Sequence, residues 1–193
     1  MLKFLMFMRT SGLEIKELTK AWLAISIAFT ILLTGTELGL LPTFFLSLLT
    51  VGLGFLLHEL AHKTVAQRYG CHAEFRANNG MLLLAIAISF VGFVFAAPGA
   101  VMIKGFLTKR ENGIVSVAGP LTNLVLALLF LPLGFMDGLL GAIGSYGFII
   151  NSWLGLFNMI PMFPLDGAKV WNWNKLVYLT VAGVLLFMVI SAF

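Results

Sequence analysis

Repeated apolar runs, each near the roughly 20 residues that cross about 30 Å of hydrocarbon, limit what this chain can fold into. Ala21 to Leu41, Thr43 to Ala66, Ile114 to Phe135, Leu139 to Ile160 and Trp173 to Phe193 read as crossings, and Met81 to Ile103 is a sixth apolar run. With 60% hydrophobic and 10% charged residues, the 193-residue chain lies outside the usage of an ordinary soluble domain. No polar segment is long enough to build a separate core. The fold expected is an all-α polytopic membrane protein with about six membrane segments in a single transmembrane domain over 1–193. Residues 1–20 should form a retained cytosolic or interfacial segment, because MLKFLMFMRTSG lacks the apolar length and small-residue cleavage site of a signal peptide. A lone cysteine, Cys71, excludes an intrachain disulfide.

The basic residues set the expected orientation. Lys3, Arg9, Lys16 and Lys20 precede the first span, the link between the first two spans has none, and Lys63, Arg68 and Arg76 follow the second. The N-terminus is therefore expected in the cytosol. If Met81 to Ile103 crossed fully, Lys104, Lys109 and Arg110 would fall outside. If it dips in and returns, all 12 basic residues share one face. A re-entrant hairpin or short strands between the second and third core spans follows, broken at Gly92 or at Pro98-Gly99. Backbone of that kind is tolerated at depth only where protein or a water-filled cavity covers it. The net charge of +4 reads as topology information and contact with anionic lipid, not nucleic-acid binding.

Two of the three histidines fall in GFLLHELAHKTVAQRYG, near the end of the second run. On a helix His58 and His62 stack on one face about 6 Å apart along the axis, within reach of one cation, and Glu59 lies beside them. In an H-E-x-x-H pattern zinc takes the two imidazoles and the glutamate handles protons on a water. A hydrolytic zinc site also needs a third protein ligand and an open position. His72 and Glu74 sit in YGCHAEFRANNG, which reads as a solvated loop, while Glu37 and Asp137 fall on the far face. Asp166 remains, in NMIPMFPLDGAKV, on the same membrane face as His62. Pro161, Pro164 and Gly167 should break the helix there and turn its carboxylate inward.

HELAH at 58–62, AGPLTN at 118–123 and NMIPMFPLDG at 158–167, in that order on successive core spans, resemble the site-2 protease family of intramembrane zinc metalloproteases. The resemblance implies one zinc ion held by His58, His62 and Asp166, with Glu59 as catalytic acid/base. It also implies cleavage of a transmembrane helix of another membrane protein, often after a first cut elsewhere, with Asn158 holding substrate or the oxyanion. Asn123, after a break at Gly119-Pro120, is a second candidate for substrate contact, or else an interhelical hydrogen bond. An unwound substrate can pair as an added strand with backbone near Pro98, Gly99 and Ile103. A metal transporter or sensor is the main alternative, followed by an inactive helix-binding adaptor. A transporter should repeat ligands at several depths, whereas these cluster at one.

Overall fold

A computed structural model describes residues 9–34, 38–94 and 98–192. It is mostly helical, with one two-stranded sheet. Helix α1 (Gly12–Leu32) starts where the Ser11 hydroxyl accepts the Glu14 N–H at 3.1 Å, satisfying one free donor of the helix start. Helix α2 (Leu40–Ser47), a turn of π geometry (Leu48–Gly52) and α3 (Leu53–Arg68) form one continuous rod of 29 residues. The π turn falls where α1 presses closest. The Trp22 indole donates to the Leu48 carbonyl at 3.2 Å, and a Cβ on Gly52 would stand 2.5 Å from Ser26 Oγ. A side chain inserted at a helical ladder widens the turn in this way.

Strand β1 (His72–Ala77), α4 (Asn79–Ser89) and β2 (Gly99–Lys104) follow. The strands pair antiparallel, with Phe75 opposite Val101 and Ala77 opposite Gly99. Helix α5 (Lys109–Phe130) opens on a capping box between Thr108 and Glu111 and tightens into a 3₁₀ turn at Leu131–Phe135. Helix α6 (Gly138–Asn158), a Pro-rich loop, α7 (Asp166–Trp173) and α8 (Lys175–Ser191) complete the chain.

The expected count of six membrane segments is not supported. Among the described residues, three helices are long and apolar enough to cross: Leu40–Arg68, Lys109–Phe135 and Gly138–Asn158. Helix α1 begins at Gly12 rather than Ala21 and draws Glu14, Lys16, Glu17 and Lys20 into its first half. Helix α8 has 17 residues, about 26 Å, short of a full crossing. The run Met81 to Ile103 divides into α4, a turn at Gly92 with φ 84°, and β2, so the short-strand form of the expectation holds and the all-α class does not. YGCHAEFRANNG is no solvated loop: it supplies β1, where Phe75 is buried against Phe55. Helix α5 also runs unbroken through Pro120. Residues 1–8 of the expected N-terminal segment, Glu37, residues 95–97 of the sixth run and Phe193 lie outside the described residues.

One apolar cluster joins α1, α3, the sheet and α4 through Leu18, Ile25, Phe55, Phe75 and Leu82; a second joins α5, α7 and α8 through Val117, Val170, Val181 and Leu185. Small residues let the helices close in, as bundles in lipid require. On α6, Gly144 rests on the 3₁₀ turn, where a Cβ would lie 2.1 Å from the Gly134 nitrogen. Gly183 on α8 has nothing within 4 Å of such a Cβ. Gly144→Ala should therefore destabilise the protein by about 1–3 kcal/mol, since backbone cannot step aside. Gly183→Ala should be neutral or stabilising by up to about 1 kcal/mol. Unfolding midpoints of the two purified variants in detergent check the contrast.

Candidate metal centre

Helix α3 presents His58 and His62 one turn apart on a buried face, with their rings 4.6 Å apart and nearly perpendicular. Each ring is held from behind. The His58 Nδ1 lies 2.6 Å from Asn123 Oδ1 on α5, and the His62 Nδ1 lies 2.8 Å from the Val115 carbonyl. Both partners accept, so both Nδ1 atoms carry the proton and both Nε2 lone pairs point forward. The Asn123 amide is itself fixed: its nitrogen donates to the Gly54 carbonyl at 3.2 Å and to Asn151 Oδ1 at 3.0 Å, and Asn151 donates to the Gly147 carbonyl.

Asp166 comes from the other side. Helix α6 ends at Asn158, the loop Met159–Leu165 turns back, and α7 starts at Asp166. Gly167 makes the turn possible, because a Cβ there would stand 2.2 Å from the Met159 carbonyl oxygen. The Asp166 Oδ2 lies 3.0 Å from His62 Nε2 and 3.4 Å from His58 Nε2, and the two Nε2 atoms are 3.0 Å apart. Lys169, a turn further on, places Nζ 3.8 Å from Asp166 Oδ1.

Two lone pairs 3.0 Å apart beside a carboxylate repel one another unless a cation joins them. Tetrahedral zinc with bonds of about 2.0–2.1 Å sets its ligand atoms about 3.3 Å apart, close to these separations. Gly119 guards the same point, where a Cβ would stand 2.5 Å from both Nε2 atoms. His58, His62 and Asp166 form the one group of this kind among the described residues, and its donors fit a single zinc ion.

A cavity of about 330 Å³ opens beside the triad, walled by Glu59, Asn158, Pro98, Gly99, Val101 and Lys169 among others. Glu59 is in the wall but outside the ligand group, and Val101 of β2 lines the same cavity. Asn158 has an N–H bonded back to the Leu154 carbonyl at 2.9 Å. The Pro98 carbonyl accepts the Asn78 N–H at 2.9 Å, and Gly99 starts the paired strand. Asn123 is not in the wall. The reading of it as a substrate contact gives way to the interhelical bond, since its oxygen and nitrogen are committed to His58, Gly54 and Asn151. His72 and Glu74 lie on β1, apart from the triad. Sequence reasoning missed Asn151, whose one signal is an amide in an apolar helix, and Val115, which acts through a carbonyl that no letter records.

No family model matches the chain, and no solved structure does. Among curated relatives it is 45% identical over 189 residues to a protein of Methanocaldococcus jannaschii provisionally named a zinc metalloprotease, covering 93% of this chain and 96% of that one. A Bacillus subtilis protein provisionally so named is 33% identical over 63% of this chain, which spans 65% of it. A second M. jannaschii zinc metalloprotease is 30% identical over 59% of the chain, which spans 30% of its length. Fold and triad describe an apolar helical protein with a site for one metal ion. The chain belongs to the zinc metalloprotease family that these relatives represent.

Removing the support behind a ligand should weaken the site without touching a ligand. Asn123→Ala should lower zinc affinity about 10- to 100-fold. Gly119→Ala should lower it further by crowding the ion. Competition with a chromophoric chelator, read against the unsubstituted protein, measures both.

Proposed function

We propose that the chain is an intramembrane zinc metalloprotease of the site-2 type, which hydrolyses a peptide bond in or near a transmembrane helix of another membrane protein. One observation carries this reading. His58, Glu59 and His62 lie on Leu40–Arg68, a helix long and apolar enough to cross a bilayer, and they face a cavity rather than lipid. A protease whose centre is built into such a helix meets its substrate at membrane depth.

Zinc held by His58, His62 and Asp166 would supply Lewis acidity and make a water nucleophilic near neutral pH. Glu59 takes the proton of the attacking water and returns it to the leaving amine as the C–N bond breaks, leaving one new carboxylate and one new amine. Asn158 has a second N–H with which to hold the developing oxyanion. The bond from Asn78 N–H to the Pro98 carbonyl sets the alternation of the hairpin, so Gly99, Val101 and Ile103 turn their backbone groups away from β1. A substrate helix hides its carbonyls in its own bonds and has to unwind. The open edge of β2 offers the unwound segment replacement partners beside Glu59. The Pro98 carbonyl is already committed to Asn78, so Pro98 acts as cavity wall just ahead of the strand.

The basic residues support a multi-pass protein of the cell membrane with its N-terminus and active site toward the cytosol, where water is supplied. Its partners are then the lipid bilayer and a membrane-protein substrate, with no nucleic acid. Transport of the ion is disfavoured by a ligand group at a single depth.

Glu59→Gln should retain zinc and lose cleavage of a single-span substrate; cleavage at the unsubstituted rate by a folded, zinc-loaded Glu59→Gln protein refutes the assigned role. Metal analysis alongside a gel-based cleavage assay gives both readings. For sidedness, a cysteine replacing the exposed Phe106, in a Cys71→Ser background, should react with an impermeant reagent only from the cytosolic side.

A further inference from the structure

The proposed chemistry leaves unused the most deeply buried pair of charges among the described residues. Glu14 on α1 and Lys63 on α3 are both wholly buried, with Lys63 Nζ 2.6 Å from Glu14 Oε2. The ammonium also donates to the Thr10 hydroxyl at 2.8 Å. The second oxygen of the same carboxylate, Oε1, accepts the backbone N–H of Phe75 on β1 at 3.0 Å. One carboxylate therefore ties three elements together.

Stability alone does not account for the pair. Two well-packed apolar side chains of similar volume are often as stable as a buried ion pair or more so, because taking both charges from water is costly. What the pair adds is geometry. Lys63 adjoins His62 on α3, while Phe75 is the cross-strand partner of Val101, which lines the cavity together with Glu59. The same flank of β1 is held elsewhere: the Ala77 N–H donates to Glu17 at 3.2 Å, and the Gln67 amide donates to the Ala73 carbonyl at 3.1 Å. Side chains of α1 and α3 thus cover the outer edge of β1, and β2 keeps the edge that faces the cavity. An uncovered strand edge is a template for pairing.

We infer that the buried Glu14–Lys63 pair is a positioning device, which fixes the β2 edge against the metal-binding helix and so selects which bond of an added substrate strand meets Glu59. The inference rests on the protease reading above. A slip of one residue along a strand is about 3.3 Å and exchanges the two faces, so a loosely held edge would present neighbouring bonds in turn.

The test compares three proteins: the unsubstituted chain, Glu14→Met/Lys63→Met, and Glu14→Gln/Lys63→Met, in which an amide oxygen can still accept the Phe75 N–H. Each is given a single-span reporter that the unsubstituted chain cleaves and Glu59→Gln does not, and the products are mapped by mass spectrometry. The double-methionine protein should keep its zinc and its KM, lose about 10- to 100-fold in kcat at the original bond, and cut adjacent bonds. The Gln-bearing protein should recover most of the single cut. Spin labels at Met102 and Tyr69, in a Cys71→Ser background, give a readout that needs no substrate. The distance distribution should broaden by about one strand step, ~3.3 Å, in the double-methionine protein alone. Unchanged products and unchanged distances would overturn the positioning role while the protease reading stands. If no reporter is cleaved by the unsubstituted chain, the protease reading falls and the spin-label distances still decide whether the pair holds the strand.

Discussion

Everything in this molecule is arranged around the difficulty of keeping polar groups inside an apolar bundle. Without bulk water, a donor or acceptor needs a partner within the protein, and a charge needs a counter-charge. The two imidazoles meet that demand at both ends. Their Nδ1 protons go to Asn123 and to the Val115 carbonyl, and their Nε2 atoms converge with Asp166. Neither half suffices alone. Without the acceptors behind, the rings could take the wrong tautomer; without a cation in front, two lone pairs would face each other across 3.0 Å.

The same demand explains the sheet. A chain that enters an apolar bundle without helical bonds has to pair its backbone elsewhere, and a hairpin of two strands satisfies only its inner rows. On the outer row of β1, Glu14, Glu17 and Gln67 supply the missing partners. The outer row of β2 borders the cavity and Glu59. Closure of one edge by side chains and exposure of the other to the reaction site is an asymmetry that the hairpin could not acquire by itself. It comes from α1, whose charged first half lies against β1 and serves as a clamp.

Much of the centre was legible in the letters because its geometry is local. Four-residue spacing on a helix places His58 above His62 whatever the rest of the chain does, and Glu59 falls beside them. Asp166 could be reached because the pattern of basic residues assigns it to the same end of the bundle. The strand at 72–77 also left a trace, since Ala73 and Phe75 alternate with His72, Glu74 and Arg76, but the polar letters favoured a solvated loop. The span count failed for a different reason. Hydropathy alone cannot tell an apolar run that crosses from one that divides into a short helix, a glycine turn and a strand. The partnership of Glu14 with Lys63 had no local signal at all: 49 positions separate them, and each charge alone resembles an interfacial residue.

Glu59 carries the distinction between hydrolysis and passage of an ion. A transit site gains from every nearby carboxylate that joins the cation, and a glutamate next to a ligand histidine is well placed to do so. Here the third donor is brought instead from about a hundred residues away, at the cost of a helix break between Asn158 and Asp166 and a turn that tolerates only Gly167. Glu59 is left in the cavity wall beside the β2 backbone, close to the ion position yet outside the ligand group. On the proposed reading, a carboxylate kept off the metal, beside an open strand edge, is free to exchange a proton with water and a peptide nitrogen. That freedom is what the distant aspartate makes available, and it places the chemical role of the centre in the gap between the triad and the strand.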